Sequence, residues 1–242
     1  MSELASYERT GAIAKITMDD GKVNVMSGAM LSALLSALDH AEKDAAIVLL
    51  TSGREGIFSA GFDTKVLASR DPQQIYDMVR LGAELAARIL SFRYPVVIAC
   101  NGHAFPMGAF LMLASDIRIG ADGPFKIGMN EVAIGIPVPS FALELGRERL
   151  VPAYLHRTAL TGEMFAPHEA MAAGFLDRVV PLGSLQTAAD AAAAALTKID
   201  LAAHASTKQR LRKPAIERVR AAIDSEITLD AYRRRSTESP SG

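Results

Sequence analysis

Short runs of consecutive apolar residues alternate along this chain with longer stretches in which apolar residues recur every three or four positions. Ile13 to Met18, Ile47 to Thr51, Pro95 to Cys100 and Asp116 to Ile119 have strand length and composition. Between them lie helix-type stretches: one after Ser27, a good N-cap, one opening at Asp71-Pro72, and one following Phe105. This alternation predicts an α/β fold whose parallel strands are joined by helical crossovers. From about Leu185 the pattern is helical only, with an Ala-rich stretch at Ala188 to Ala195 and an amphipathic one from Ser206 to Ile223. No internal sequence repeat is visible. The polar residues Arg233 to Gly242 are expected to form a frayed, solvated basic tail.

Composition narrows the class without deciding it. A chain of 242 residues with 50% hydrophobic and 22% charged content can bury one sizeable core, so one α/β domain with a small appendage is expected. A formal charge of −1 gives no general attraction to nucleic acid or membrane. Cys100 is the only cysteine and sits in the apolar run beginning at Val96, which excludes an intrachain disulfide and predicts a buried, inert thiol in a reducing compartment. Met1 to Ser6 lack the basic-then-apolar order of a leader, and no segment reaches the roughly 18 uninterrupted apolar residues of a membrane span. A soluble cytoplasmic protein is therefore expected. His40, His103, His156, His168 and His204 share no metal-like spacing, and no metal site is expected.

Two segments carry the candidate chemistry: Phe58-Ser59-Ala60-Gly61-Phe62-Asp63 and Asn101-Gly102-His103-Ala104-Phe105-Pro106-Met107-Gly108-Ala109. Each has a small residue or glycine where a strand hands over to a helix, so each can present a backbone N–H to a ligand. The second follows a buried strand and opens a helix whose positive end faces the turn. Together they have the character of two halves of an oxyanion hole, suited to a thioester oxygen gaining negative charge.

With these segments, and with Gly21-Lys22-Val23-Asn24, Asn130-Glu131-Val132-Ala133-Ile134-Gly135-Ile136 and Ala172 to Asp177 following the same order, the chain resembles the crotonase (enoyl-CoA hydratase/isomerase) superfamily. The resemblance implies a spiral of repeated strand-strand-helix units over residues 1–184. A helical region over 185–242 would then serve oligomerisation and cover the pocket. It also implies acyl-CoA thioester substrates of fatty acid metabolism, coenzyme A entering only as part of the substrate, no separate cofactor, and a homotrimer or dimer of trimers.

Carried onto this sequence, the resemblance makes Glu131 the proton-transfer group, a carboxylate among apolar neighbours whose desolvation would raise its pKa. The N–H groups of Phe62 and Met107 become the oxyanion donors. Where family members commonly have three glycines this chain reads Pro106-Met107-Gly108, which still leaves the Met107 donor in place. The family's hydratases carry a second glutamate at the position of Phe110, and a phenyl ring cannot transfer a proton. A double-bond shift needs one carboxylate and water addition needs two, so a single-base enoyl-CoA isomerase is the leading reading. A hydratase recruiting another group and a non-catalytic acyl-CoA-binding homologue remain open. Lys22, Ala60, Asp63 and Lys65 are expected near the CoA portion. Phe110, Val138, Pro139 and Phe141 are expected to line an apolar acyl pocket. His103 matches a family position that is commonly aromatic and non-catalytic.

Overall fold

The computed structural model describes residues 4–237. The chain begins with β1 (Ala5–Thr10), β2 (Ile13–Met18), β3 (Val25–Met26) and α1 (Gly28–Lys43). It continues through β4 (Ile47–Ser52), β5 (Gly56–Ser59), β6 (Gly61–Phe62), α2 (Thr64–Ala68) and α3 (Pro72–Leu90). Next come β7 (Val96–Cys100), β8 (Gly102–Ala104), α4 (Pro106–Ala114), β9 (Ile117–Asp122) and β10 (Ile127–Gly128). A 3₁₀ turn at Val132–Ile134 leads into α5 (Ser140–Arg149), α6 (Pro152–Thr161), β11 (Met164–Phe165), α7 (Pro167–Ala173) and β12 (Arg178–Pro181). After a second 3₁₀ turn, α8 (Leu185–Leu196), α9 (Leu201–Glu226) and α10 (Leu229–Thr237) complete the described chain.

The six-stranded sheet has the order β1-β2-β4-β7-β9-β12, and a four-stranded sheet has the order β11-β10-β8-β5. Successive units place one strand in each sheet before a helix: β4 then β5, β7 then β8, β9 then β10. This is the expected spiral of strand-strand-helix turns. All pairings from β2 to β12 in the large sheet are parallel. The exception to the parallel expectation is β1, which forms an antiparallel hairpin with β2. Its sequence, Ala-Ser-Tyr-Glu-Arg-Thr, lacks a buried run because it is an edge strand with a wet outer half.

The runs Ile47 to Leu50 and Val96 to Cys100 are apolar throughout because both faces of the sheet are covered. Val48, Leu50 and Ile98 face the main core, while Ile47, Leu49, Val97 and Ala99 face a second layer built with Leu185, Ala189 and Ala193 of α8. Helix starts follow the caps read from the sequence. Ser27 Oγ accepts the Met30 N–H, and the Asp71 carboxylate accepts those of Gln73 and Gln74, with Pro72 in the first turn. Cys100 is fully buried, and burial pushes its thiol up to about 12. The tail expectation is corrected in part: Arg233 to Thr237 belong to α10, which packs on α3 with Tyr232 edge-on to Tyr76. Residues 238–242 lie outside the described residues.

A buried ionic cluster ties α9 to the spiral. The Asp116 carboxylate accepts from the Val96 amide at 2.7 Å and from Lys208 Nζ at 2.7 Å, and pairs with Arg212 at 3.0 Å. Arg212 also donates to the carbonyls of Leu90, Ala114 and Ser115, at the ends of α3 and α4. Burial pushes the Lys208 ammonium down to about 8, with Asp116 opposing the shift. Removing one partner of such a cluster leaves uncompensated buried charge. Asp116→Ala is therefore expected to cost about 3–5 kcal/mol of stability in urea unfolding, and a loss below about 1 kcal/mol would contradict this account.

Candidate active site

The first segment is fixed by side-chain hydrogen bonds to the backbone. Asn24, fully buried, donates to the carbonyls of Met18 and Phe58 and to Ser52 Oγ, locking the ends of β2, β4 and β5 together. Ser59 Oγ donates to the Asn24 carbonyl at 2.8 Å and accepts the Gly61 N–H at 3.1 Å. Gly61 has φ +84°, a left-handed conformation that glycine adopts without strain, and this bend delivers Phe62 to the wall of a cavity.

The second segment is the start of α4. Its N-cap, Phe105, offers no side-chain acceptor, and Pro106 has no N–H. The first-turn amides of Met107 and Gly108 have no acceptor within the helix, whose first backbone bond runs from the Ala109 N–H to the Phe105 carbonyl. The two segments touch: the position a Cβ would take on Gly61 lies 3.8 Å from the Met107 nitrogen. A residue not singled out in the sequence, Gly82 in the middle of α3, makes this arrangement possible. A Cβ there would lie 2.5 Å from the Phe62 ring and 3.3 Å from Met107 Sδ. Glycine inside a helix costs up to about 1 kcal/mol relative to alanine, and that is the one sequence signal that marked this close approach.

Glu131 opens the 3₁₀ turn, and its carbonyl accepts the N–H groups of Ile134 and Ile136. The side chain is 6% exposed and one carboxylate oxygen is buried without a hydrogen-bond partner among the described residues. Desolvation pushes this carboxyl up to about 7, against a small opposing effect of its own backbone N–H. A group balanced between its two forms near neutral pH can both take and return a proton.

These elements close around a cavity of about 420 Å³. Ala60, Gly61 and Phe62 from the first segment face it, as do Phe105 and Pro106 from the second and Asn130 and Glu131 from the turn. Its apolar wall comes from Leu67 of α2, Ile75 and Val79 of α3, and the loop Ile134 to Pro139. Of the residues predicted for the site, Ala60, Phe62, Glu131 and Pro139 line the cavity. Met107 is buried directly behind Pro106.

Phe110 and Phe141 do not line the cavity: they are fully buried, pack edge-on at 5.6 Å, and form the core beneath the site. Because α4 is buried on every side, a position on it need not face the cavity, and Phe110 packs against Phe141 of α5 instead. Val138 is half-buried against the core and is not part of the wall. Lys22 and Lys65 are exposed and Asp63 caps α2 by accepting the Lys65 N–H, all three outside the cavity wall. His103 accepts the Lys126 N–H and stacks on Phe105, also outside it. The lining residues that were not predicted include Glu226 and Tyr232, which α9 and α10 bring to the cavity from distant positions. Among the described residues no group of three or more His, Cys, Asp or Glu is placed to hold a metal ion, and no helix is long and apolar enough to cross a membrane.

A spiral of strand-strand-helix units closing around a cavity with a desolvated carboxylate in its wall has the form of a crotonase-type protein. Comparison with known proteins agrees: the profile of the enoyl-CoA hydratase/isomerase family matches residues 8–240, and the chain belongs to that family. It is 31% identical over 227 residues to human mitochondrial enoyl-CoA delta isomerase 1, covering 93% of this chain and 75% of that protein. It is 33% identical over 193 residues to a carnitinyl-CoA dehydratase of Salmonella paratyphi A, covering 78% and 72%. The crystal structure of an enoyl-CoA hydratase/isomerase family protein from Pseudomonas syringae superposes with a TM-score of 0.90 at 45% identity, covering 93% of this chain and 97% of that one.

The raised pKa of Glu131 makes a prediction independent of any activity. With a folded value of about 7 against an ordinary 4.5, its contribution to stability is present below pH 4.5 and lost as pH rises through 7. Glu131→Gln removes that loss. The variant should exceed the wild type by on the order of 3 kcal/mol above pH 7, at about 1.4 kcal/mol for each pH unit between the two values, with the gap closing toward pH 4.5. Urea unfolding at pH 5 and pH 8 reads this, and a pH-independent difference would refute it.

Proposed function

We propose that this protein is an enoyl-CoA isomerase that shifts a double bond from the β,γ to the α,β position with Glu131 as its single acid/base. The observation that carries this reading is one desolvated carboxylate, with one oxygen lacking a hydrogen-bond partner, in the same cavity wall as Phe62, and with Phe110 sealed in the core at the position where the family's hydratases have a second glutamate. The Glu131 carboxylate removes a proton from C2 of a 3-enoyl thioester. The electrons move into a dienolate whose oxygen accepts hydrogen bonds from the two amides, and the protonated Glu131 then delivers the same proton to C4. Nothing is gained or lost overall, so no water need enter. The isomerase among the relatives agrees with this reading.

Coenzyme A belongs to the substrate in this reading, with Lys22 near its nucleotide, Lys65 in the segment bordering its adenine and pantetheine, and no further cofactor. The active assembly is a homotrimer or a dimer of trimers. The second reading is hydration of 2-enoyl-CoA, which the dehydratase relative keeps in play and which needs a further proton-transfer group.

Purified protein should isomerise 3-enoyl-CoA faster than it hydrates 2-enoyl-CoA, with added water followed by mass spectrometry. The reverse order of rates would overturn the isomerase reading. Glu131→Gln should lose roughly 100-fold or more of the isomerase rate while still binding thioester. Wild-type kcat/KM should rise with pH and level off above about 7, as the carboxylate form becomes dominant. In a crystal of the Glu131→Gln variant with a 3-enoyl-CoA, the thioester oxygen should lie about 3 Å from the Phe62 and Met107 nitrogens, and a separation beyond about 4 Å from both would exclude the proposed hole.

A further inference from the structure

The cavity contains a second carboxylate that the proposed isomerisation does not use. Glu226, the last residue of α9, lines it with Tyr232 of α10, and both are far in sequence from Glu131. One oxygen of Glu226 accepts the Ser140 N–H at 3.0 Å, in the first turn of α5, whose own N-cap, Pro139, has no side-chain acceptor. Among the described residues no Lys, Arg or His forms a salt bridge with Glu226. The nearby cations are committed elsewhere: Arg80 to Asp224 and Glu84, Arg218 to Glu144, Arg220 to Glu84.

The Ser140 N–H is one of the donors that a helix start leaves unpaired, and the Glu226 carboxylate takes the place of the missing side-chain cap of α5. It leaves a negative charge without a countercharge in a wall that is otherwise mostly apolar. An alkyl chain laid against it would strip water from the charge and return nothing, whereas a hydroxyl or ammonium group would satisfy it. A second negative charge would be repelled.

From this we infer that Glu226 is a specificity-determining residue, and that the preferred acyl groups carry a positively polarised hydrogen-bond donor, a hydroxyl or ammonium, toward the end of the chain. The inference rests on the acyl-CoA reading above but not on the reaction, and saturated thioesters separate the two. Binding of hexanoyl-CoA, 6-hydroxyhexanoyl-CoA, 6-aminohexanoyl-CoA and hexanedioyl-CoA, and of the matching eight-carbon series, is measured by calorimetry on the full chain. The hydroxyl and amino forms should bind about tenfold more tightly than the alkyl form, and the carboxyl form about tenfold more weakly.

In Glu226→Gln, whose amide oxygen can still accept the Ser140 N–H, the four members of a series should fall within about threefold of one another. Equal affinities across the wild-type series, or a ranking that survives unchanged in Glu226→Gln, would overturn the inference. If no member of either series binds, the acyl-CoA reading falls with it. The ranking without isomerisation of 3-enoyl-CoA would leave the inference standing and sink the isomerase reading alone. The wild-type series decides the matter even if the variant does not fold.

Discussion

The fold is organised around a helix with nowhere to hide its ends. Every residue of α4 from Met107 to Ala114 is buried, so the backbone groups that any helix leaves unpaired at its termini cannot be handed to solvent. At the C-terminal end they are met by protein: Arg212 and Arg149 donate to the Ser115 carbonyl, Arg212 to that of Ala114, and the Ser115 hydroxyl to that of Met112. At the other end Pro106 removes one donor and Phe105 supplies no side-chain acceptor, leaving the Met107 and Gly108 amides without an acceptor in the helix. One end of this buried helix is thus satisfied by side chains and the other is not.

The same exclusion of water acts on Glu131. The apolar wall that lets a backbone dipole act strongly on a ligand also makes the charged carboxylate unfavourable, and these are two results of one low-dielectric environment. Such a site is a local weakness in the folded state, and stability is recovered elsewhere, through the doubly covered sheet and the Asp116 cluster.

Much of this was legible in the sequence where local chemistry decides. Ser27, Asp71 and Pro72 marked helix starts because capping needs only neighbouring residues, and the unbroken runs in β4 and β7 marked strands covered on both faces. The edge strand β1 and the short strands β3, β6, β10 and β11 escaped because they contribute a few residues whose pairing is set by distant partners. At the site, motif order pointed to Phe62 and Glu131, which line one cavity, and to Met107, which is buried next to Pro106 of its wall. Proximity in a motif was a poor guide to which side chains face the cavity, and it misdirected Phe110 and Phe141. Glu226 and Tyr232 left no local mark at all, since only the packing of α9 and α10 against the spiral gives them a place in the wall.

The reach of Arg212 to both α3 and α4 has a consequence for the order in which the protein can be completed during synthesis. Phe62, Met107 and Glu131 all emerge before α5 ends, yet the guanidinium that satisfies the carbonyls of Leu90, Ala114 and Ser115 stands in α9. A growing chain that stops short of Arg212 holds all three residues while the carbonyls of Leu90 and Ala114 still lack their side-chain donor. Such a nascent spiral exposes sticky surface and is the kind of intermediate that chaperones retain. The motifs are translated early, but the site they form becomes a settled structure only when α9 arrives.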